Sequence, residues 1–352
     1  MSPNSDPQRS GTSQGFRVLA IGGGTGLSTI LKGLKRYTIA AGELPPESAY
    51  ISELTAVVTV SDDGGSSGRL RRELNILPPG DVRNCLVAVA ADENLISKLF
   101  QHRFSSSGDL EGHNFGNLFL AALTAMTGDF AVAVKKASEI LATRGHILPA
   151  TTAHVQLEAV MDDGSHVVGE TKITASEKRI TELMTVPKDP LPLPQTLQAI
   201  AHADLITMGP GSLFTSLLPN LLVRGVSEAI VSSRAVKVFI CNLMTQANES
   251  LHMTASDHIQ AIYKHSGHRI FDYALVNSAP VSPRMKDQYA GEQAEQVACD
   301  VAAIEKLGVR CVTGDFVEEN HFARHATDRL CQGLMEILRT RASACRSLPA
   351  GV

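Results

Sequence analysis

The sequence predicts a doubly wound α/β fold with a mostly parallel sheet, a Rossmann-like nucleotide cleft and a small inserted β-hairpin subdomain. Three observations carry this. Short, nearly continuous apolar runs alternate with helix-spaced segments, as strands buried on both faces require. Glycine-rich or polar clusters follow those runs: GGGTG (22–26), SDDGGSSG (61–68), GPGS (209–212), CNLMTQ (241–246) and VNS (276–278). Ligands of such sheets bind at the carboxyl ends of strands, so this shared placement predicts one composite site. Finally, 352 residues with 43% hydrophobic and 19% charged side chains supply a large core and exclude compositional disorder.

Each element follows in order. Residues 1–15 are polar and read as a tail, and residues 16–342 read as one α/β domain. FRVLAI (16–21) is a strand, GGGTG its turn, and LSTILKGLKRY (27–37) a helix with Leu27, Ile30, Leu31 and Leu34 on one face. A loop with Pro45 and Pro46 leads to the strand LTAVVTVS (54–61). After PPGD (78–81) the chain reads as helical to about residue 143, with breaks at Ser105–Gly108 and Gly128. Residues 148–174 alternate and turn at Asp162–Gly164, which predicts the antiparallel hairpin. Strands at ADLITMG (203–209), VKVFICN (236–242), YALVNS (273–278) and VRCVTGD (309–315) restore the α/β rhythm. Helices are expected over LFTSLLPNLL, bent near Pro219, over 255–265, and over 327–341, and residues 343–352 close the chain as a tail.

Composition narrows the function. A net charge of −4 argues against a whole-surface nucleic-acid binder, and the absence of Trp against a stacking platform for single strands. The six cysteines form no C-x-x-C pair, which excludes zinc ribbons and thioredoxin-like motifs. No signal peptide is visible, and no apolar run approaches the roughly 18 residues of a membrane helix. The expectation is a soluble, cytoplasmic protein without membrane insertion.

The clusters carry the chemistry. In GGGTG, Gly22, Gly23, Gly24 and Gly26 let the backbone turn tightly and approach a ligand closely, with the free N–H groups of a helix start behind them. That points to a phosphate, against the alternative of a plain strand–helix turn. The spacing is neither a dinucleotide fingerprint, since Leu27 stands at the third glycine position, nor a P-loop. Gly209, Gly211 and Ser212 repeat this logic in GPGS, where Ser212 is also a candidate helix cap. Asp62 and Asp63 are adjacent carboxylates at a strand end, which a divalent cation, a ligand hydroxyl or an arginine would relieve. Asp63 and Asp81 are the candidate metal ligands, Asp81 equally a helix-start residue, and Mg²⁺ is the candidate ion. Asn114 and Asn117 in GHNFGN offer donors and acceptors for a base or sugar, or serve as a cap and a buried partner. His113 beside them reads as structural.

Taken together, FRVLAIGGGTGLSTILKGLKRY, VVTVSDDGGSSGRLRRELNILPPGDVRN, GHNFGNLFLAALTAMTGDF, TMGPGSLFTSLLPNLLV and CNLMTQ with TASDHI resemble the bacterial gluconeogenesis factor family. That family is related to the 2-phospho-lactate transferases of deazaflavin-coenzyme synthesis, and the resemblance covers roughly residues 16–340. It implies a cleft for a UDP-sugar, notably UDP-N-acetylglucosamine, and a role in cell shape on gluconeogenic carbon sources. By the same resemblance, Gly23, Gly24, Thr25, Gly209 and Gly211 are implied as the phosphate-facing positions, and Tyr289 in KDQYAGE and Arg324 in FARHATD look like nucleotide-sugar contacts. The transferase relatives imply a divalent metal. The sequence departs from the family at Ala247-Asn248, where a glycine turn is usual, and in a longer insertion at 38–53.

Three functions compete. The first is a nucleotide-sugar-binding regulator, the second a metal-dependent transferase acting on a nucleotide-activated substrate, the third a nicotinamide-dependent oxidoreductase. Leu27, and the lack of an acid about 20 residues after the turn, weigh against the third. No catalytic base or nucleophile stands out for the second. Expected partners are a UDP-sugar, a second copy of the chain, and a Ser/Thr kinase acting at Thr327, which otherwise reads as a helix cap. No nucleic-acid partner is expected.

Overall fold

The computed structural model describes residues 15–39, 43–44, 49–91, 95–105 and 108–346. Residues 1–14 of the polar tail, Pro45 and Pro46, half of the predicted break at 105–108, and the chain end beyond 346 lie outside these residues, as does part of the 38–53 insertion.

Seven parallel strands form the central sheet. They are β1 (Gly15–Gly22), β2 (Tyr50–Val58), β3 (His146–Pro149), β7 (Leu205–Met208), β8 (Val236–Ile240), β9 (Tyr273–Asn277) and β10 (Arg310–Gly314), in the order β10-β9-β8-β7-β1-β2-β3. Between β3 and β7 the chain builds a separate antiparallel sheet. Its strands are β4 (Gln156–Met161), β5 (His166–Val168) and β6 (Ile180–Val186), in the order β5-β4-β6. After β10 a hairpin of β11 (Val317–Glu319) and β12 (Ala323–His325) precedes the last helix.

The apolar runs of β1 are explained by burial on both faces. Val18 and Ala20 join one core, Leu19 and Ile21 the other. The first core is covered by α1 (Gly24–Leu34), α3 (Gly80–Val89), α5 (Phe115–Thr127), α6 (Phe130–Ile140) and α14 (Thr327–Arg346). Between these run α2 (Gly65–Leu74) and α4 (Leu95–Gln101). The second core is closed by α8 (Pro194–His202), α9 (Leu218–Leu221), α10 (Val226–Ser232), α11 (Ala255–Ser266), α13 (Val301–Lys306) and the antiparallel sheet. The short α7 (Glu170–Thr174) joins β5 to β6, and α12 (Pro283–Gly291) follows β9. Leu27, Ile30, Leu31 and Leu34 are all fully buried beneath α1, as their spacing predicts.

The structure adjusts several expectations. The inserted antiparallel unit starts later and ends later than 148–174, because residues 146–149 pair in parallel with β2 and a third strand runs to Val186. The helical stretch predicted to about 143 is four separate helices, and α2 precedes it. β10 is the last strand of the main sheet, yet the β11–β12 hairpin lies beyond it. The final helix continues to Arg346, past the predicted start of the closing tail.

Leu31→Ala is expected to cost about 2–5 kcal/mol, the usual range for a large core truncation. Urea unfolding should show a lower midpoint with an unchanged slope. A midpoint equal to that of the parent would contradict the packing described for α1.

Candidate functional site

The chain leaves β1 toward β2 and leaves β7 toward β8, in opposite directions across the sheet. The carboxyl ends of β1 and β7 therefore border the crevice of a topological switch point. Both ends carry glycine turns, and the turns touch. A Cβ on Gly26 would lie 2.2 Å from the carbonyl oxygen of Pro210, so only glycine fits there. Gly24 takes the left-handed conformation at φ +62°, and a Cβ on Gly23 would lie 2.8 Å from Asp81 Oδ2. Thr25 is exposed on the first turn of α1.

The carboxylates arrive from three elements. Asp81, in the first turn of α3, accepts the backbone N–H of Gly24. Burial, opposed by that hydrogen bond and augmented by the charge of Asp62, pushes its carboxyl up to about 6. Asp62 follows β2 and accepts from the Gly64 N–H at 2.9 Å. Glu170, the first residue of α7, shares a hydrogen bond with Asp62, and burial together with the charges of Asp62 and Asp81 holds it well above the ordinary carboxylate range. The inserted sheet thus delivers an acid to the strand-end crevice.

Asp63 faces elsewhere. Its Oδ1 accepts the Thr171 N–H at 2.9 Å and the Thr171 hydroxyl at 2.6 Å, and Gly169 packs against its Oδ2. Asp63 is thus a latch for the inserted sheet, a structural role that the expectation of a metal ligand did not include. Asp62 and Asp81 remain as hard oxygen donors at the crevice. No group of three acidic, histidine or cysteine side chains is arranged as a metal cage among the described residues. Mg²⁺ is commonly held by one or two carboxylates with ligand phosphates completing its shell, so this pair fits that ion only together with a phosphate ligand.

The GPGS turn is engaged by internal partners. Gly209 takes φ +91°, as a glycine turn needs. Gly211, however, donates its N–H to Asn242 Oδ1 at 3.0 Å and accepts from Asn242 Nδ2 at 2.8 Å. Ser212 Oγ accepts from Gln246 Nε2. The π-helical turn that follows, Leu213–Leu217, begins on the carboxylate of Glu249, which accepts the Phe214 N–H at 3.3 Å and the Thr215 hydroxyl at 3.2 Å. Glu249 is 5% exposed. An internal carboxylate therefore occupies the helix start that a phosphate would use, and GPGS forms a wall of the crevice.

Asn114 and Asn117 take the structural alternative. Asn114 caps α5 by accepting the Asn117 N–H, and Asn117 Nδ2 donates to the buried Ser66 Oγ at 3.2 Å. Asn117 Oδ1 accepts from Arg83 Nη1 at 3.0 Å, and His113 Nδ1 lies 3.1 Å from the same Ser66 hydroxyl. Both asparagines are 2% exposed and engaged in internal support. Arg83 is 9% exposed, and burial with nearby Arg103 lowers its guanidinium to about 10.

Tyr289 and Arg324 are brought to each other. Tyr289 on α12 packs with Leu243, Met244 and Met285, and its hydroxyl oxygen accepts from the backbone of Ala323. Arg324 is exposed on β12 beside it. Leu243 and Met244 directly follow Asn242, so this cluster flanks the GPGS wall at the same end of the sheet. Thr327 opens α14 with its methyl against Gly33 of α1 and its hydroxyl 3.4 Å from the His325 carbonyl oxygen.

The family pattern of 2-phospho-L-lactate transferase CofD matches residues 18–317. The chain belongs to the CofD family. Among its relatives, the gluconeogenesis factor of Halalkalibacterium halodurans is 47% identical over 320 residues, covering 91% of this chain and 95% of that protein. The gluconeogenesis factor of Bacillus subtilis is 44% identical over 324 residues, covering 92% and 98%. A crystal structure of a UPF0052-family protein from Bacillus halodurans superposes with a TM-score of 0.85 at 47% identity, covering 92% of this chain and 99% of that one. The CofD-type domain and the gluconeogenesis factor family are thereby shown.

Glu170, Thr171, Arg83 and Glu249 escaped sequence reading, whereas Ser66 and Asn242 lie inside the SDDGGSSG and CNLMTQ clusters, where only their partners were illegible. The only local signal was the Gly169-Glu170-Thr171 run closing the predicted hairpin. Asp81 yields a test with a defined sign. Its folded value, about 6, lies above the ordinary 3.8, so its contribution to stability is full below about 4 and is lost as pH rises through about 6. Asp81→Asn keeps an acceptor for Gly24 and cannot ionise. Its unfolding free energy should fall less than the parent's across that window. Parallel stability curves for the two proteins would show that Asp81 is not held in this way.

Proposed function

We propose that the protein is a cytoplasmic nucleotide-sugar-binding regulator, with a UDP-N-acetylglucosamine-type ligand and a role in cell shape during growth on gluconeogenic carbon. The observation that carries this is the switch-point crevice between two touching glycine turns, with the Tyr289–Arg324 cluster beside it. Gly23, Gly24 and Thr25 seat a phosphate at the start of α1. The Gly209–Ser212 turn walls the crevice. Arg324 supplies a permanent cation with a planar fork suited to a diphosphate, and Tyr289 a flat face and a hydroxyl for base or sugar. The gluconeogenesis factor relatives support the regulatory role. A second copy of the chain, and a Ser/Thr kinase acting at the half-buried Thr327, belong to the same reading.

A second reading is supported by Asp62, Asp81 and Glu170 at the β2 end. In a metal-dependent transferase of the 2-phospho-lactate type, Asp62 and Asp81 would hold a Mg²⁺ that neutralises the charge of a nucleotide-activated substrate. Glu170 would keep its proton beside them.

Isothermal titration with UDP-N-acetylglucosamine tests the first reading. Arg324→Ala removes a charge-assisted contact and should weaken binding by roughly tenfold to a hundredfold. Unchanged affinity in both Arg324→Ala and Tyr289→Ala would remove these residues from the site. Under the second reading, Asp81→Asn should abolish any Mg²⁺-dependent gain in affinity and Asp63→Asn should leave it intact. A Mg²⁺ effect that survives Asp81→Asn would retire the metal site.

A further inference from the structure

The inserted sheet is docked at two ends. One end is the Asp63–Thr171 latch. The other lies along the outer edge of β6, which has β4 on its inner side and no strand beyond it. There the end of α11 replaces a neighbouring strand. Lys264 Nζ donates to the Thr181 carbonyl oxygen at 2.7 Å, and His265 Nε2 lies 3.1 Å from the Leu183 backbone nitrogen. Thr181 and Leu183 are two residues apart, so both contacts fall on the same edge.

The partners of His265 fix its proton. The Leu183 amide can only donate, so Nε2 must be the acceptor. Nδ1 lies 2.8 Å from the Ala261 carbonyl oxygen, which can only accept, so Nδ1 carries the hydrogen. Both ring nitrogens are satisfied only by the neutral imidazole with its proton on Nδ1. A second proton would set an N–H on Nε2 against the N–H of Leu183. The bond would be lost and the edge amide left without its acceptor.

We infer that His265 is a positioning residue: as a neutral imidazole it pins β6 to α11, and on protonation it releases that edge of the inserted sheet. The surroundings favour the neutral form. Burial lowers the affinity of the ring for a proton, Lys264 on its own helix lowers it further, and Glu182 on β6 opposes them. From the π-helical turn the ring meets the uncharged edge of Phe214, at 5.8 Å between centroids, while the nearby Glu249 carboxylate is spent on Phe214 and Thr215. Lys188 and Asp189, in the turn after β6, face the same cavity with opposite charges. No carboxylate contacts the ring among the described residues; the Ala261 carbonyl and Glu182 favour the imidazolium, and burial with Lys264 outweighs them. The same sheet carries Glu170 and Thr171 to the strand-end carboxylates. Its release at β6 is transmitted through one small rigid unit to the crevice, whatever ligand the crevice takes.

Amide hydrogen exchange of the ligand-free protein, corrected for the intrinsic pH dependence of exchange, tests this without reference to any ligand. In the parent, protection of the Leu183 amide should fall by up to about tenfold as pH drops through the histidine range, the worth of one hydrogen bond. Amides of β4, bonded on both sides, should keep their protection. His265→Gln offers an acceptor that does not titrate and should make Leu183 protection independent of pH. His265→Leu should leave it low at every pH. Protection in the parent that is unchanged on acidification, or the same loss in His265→Gln, would overturn the inference. Loss of UDP-sugar binding at neutral pH with these exchange patterns intact would count against the proposed ligand and not against the role of His265.

Discussion

The close approach of two backbones at the centre of the sheet is the constraint on which the site depends. α1 starts immediately after β1, and the turn after β7 must pass directly over that start. The Pro210 carbonyl occupies the space where a side chain at position 26 would stand. Glycine at that position therefore lets the second turn close against the first, while Gly24, at φ +62°, starts the helix within one residue of the strand. Asn220 reinforces the junction from below, donating to the Gly22 carbonyl at 3.2 Å and to Ser216 in the π-helical turn at 2.9 Å.

The inserted sheet has more than a packing role in this arrangement. Its strands complete the second core through Leu157, Ala159, Met161 and Leu183. Its connecting helix also reaches the end of β2. Asn248, where the chain departs from the usual glycine turn, donates to the Thr174 carbonyl at 2.8 Å and ties the loop after β8 to the end of that helix. A side chain at this position does what glycine cannot, which gives the departure a physical purpose. The crevice is consequently framed by the β1 and β2 ends, the β7 turn and the inserted unit, each linked to the next by named hydrogen bonds.

Much of the fold was legible in the sequence, for a local reason. Strands buried on both faces read as continuous apolar runs, and α1 shows its face in Leu27, Ile30, Leu31 and Leu34. β3 was not recognised because four residues at a sheet edge carry too little pattern. β6 was missed because the turn before it holds no distinctive glycine or proline pair. The glycine turns were legible as turns, but what fills them was not. Asp63 meets Thr171 across 108 positions of sequence, and Thr215 meets Glu249 across 34. Neither spacing belongs to a helix or a hairpin, so no periodic signal marks it. Asn114 and Asn117 show the opposite case: their short spacing was visible, and the cap it signalled is the role the structure gives them.

The two glycine turns begin alike and end differently because of the acids placed against them. Glu249 is buried, takes bonds from the start of the π-helical turn, and is enclosed by the loop that carries it. A phosphate entering there would have to displace a carboxylate that is buried and already bonded to Phe214 and Thr215. Asp81 meets α1 through the Gly24 N–H, and burial raises its carboxyl as it raises that of Glu249. Asp81, however, is only half-buried, so an incoming phosphate can take over an N–H that it binds more strongly. The same physical group, a carboxylate at a helix start, therefore closes one turn and leaves the other open to exchange. Under the proposed function, this asymmetry would put the phosphate end of the ligand at α1 and leave the β7 turn to contact the part that carries no charge.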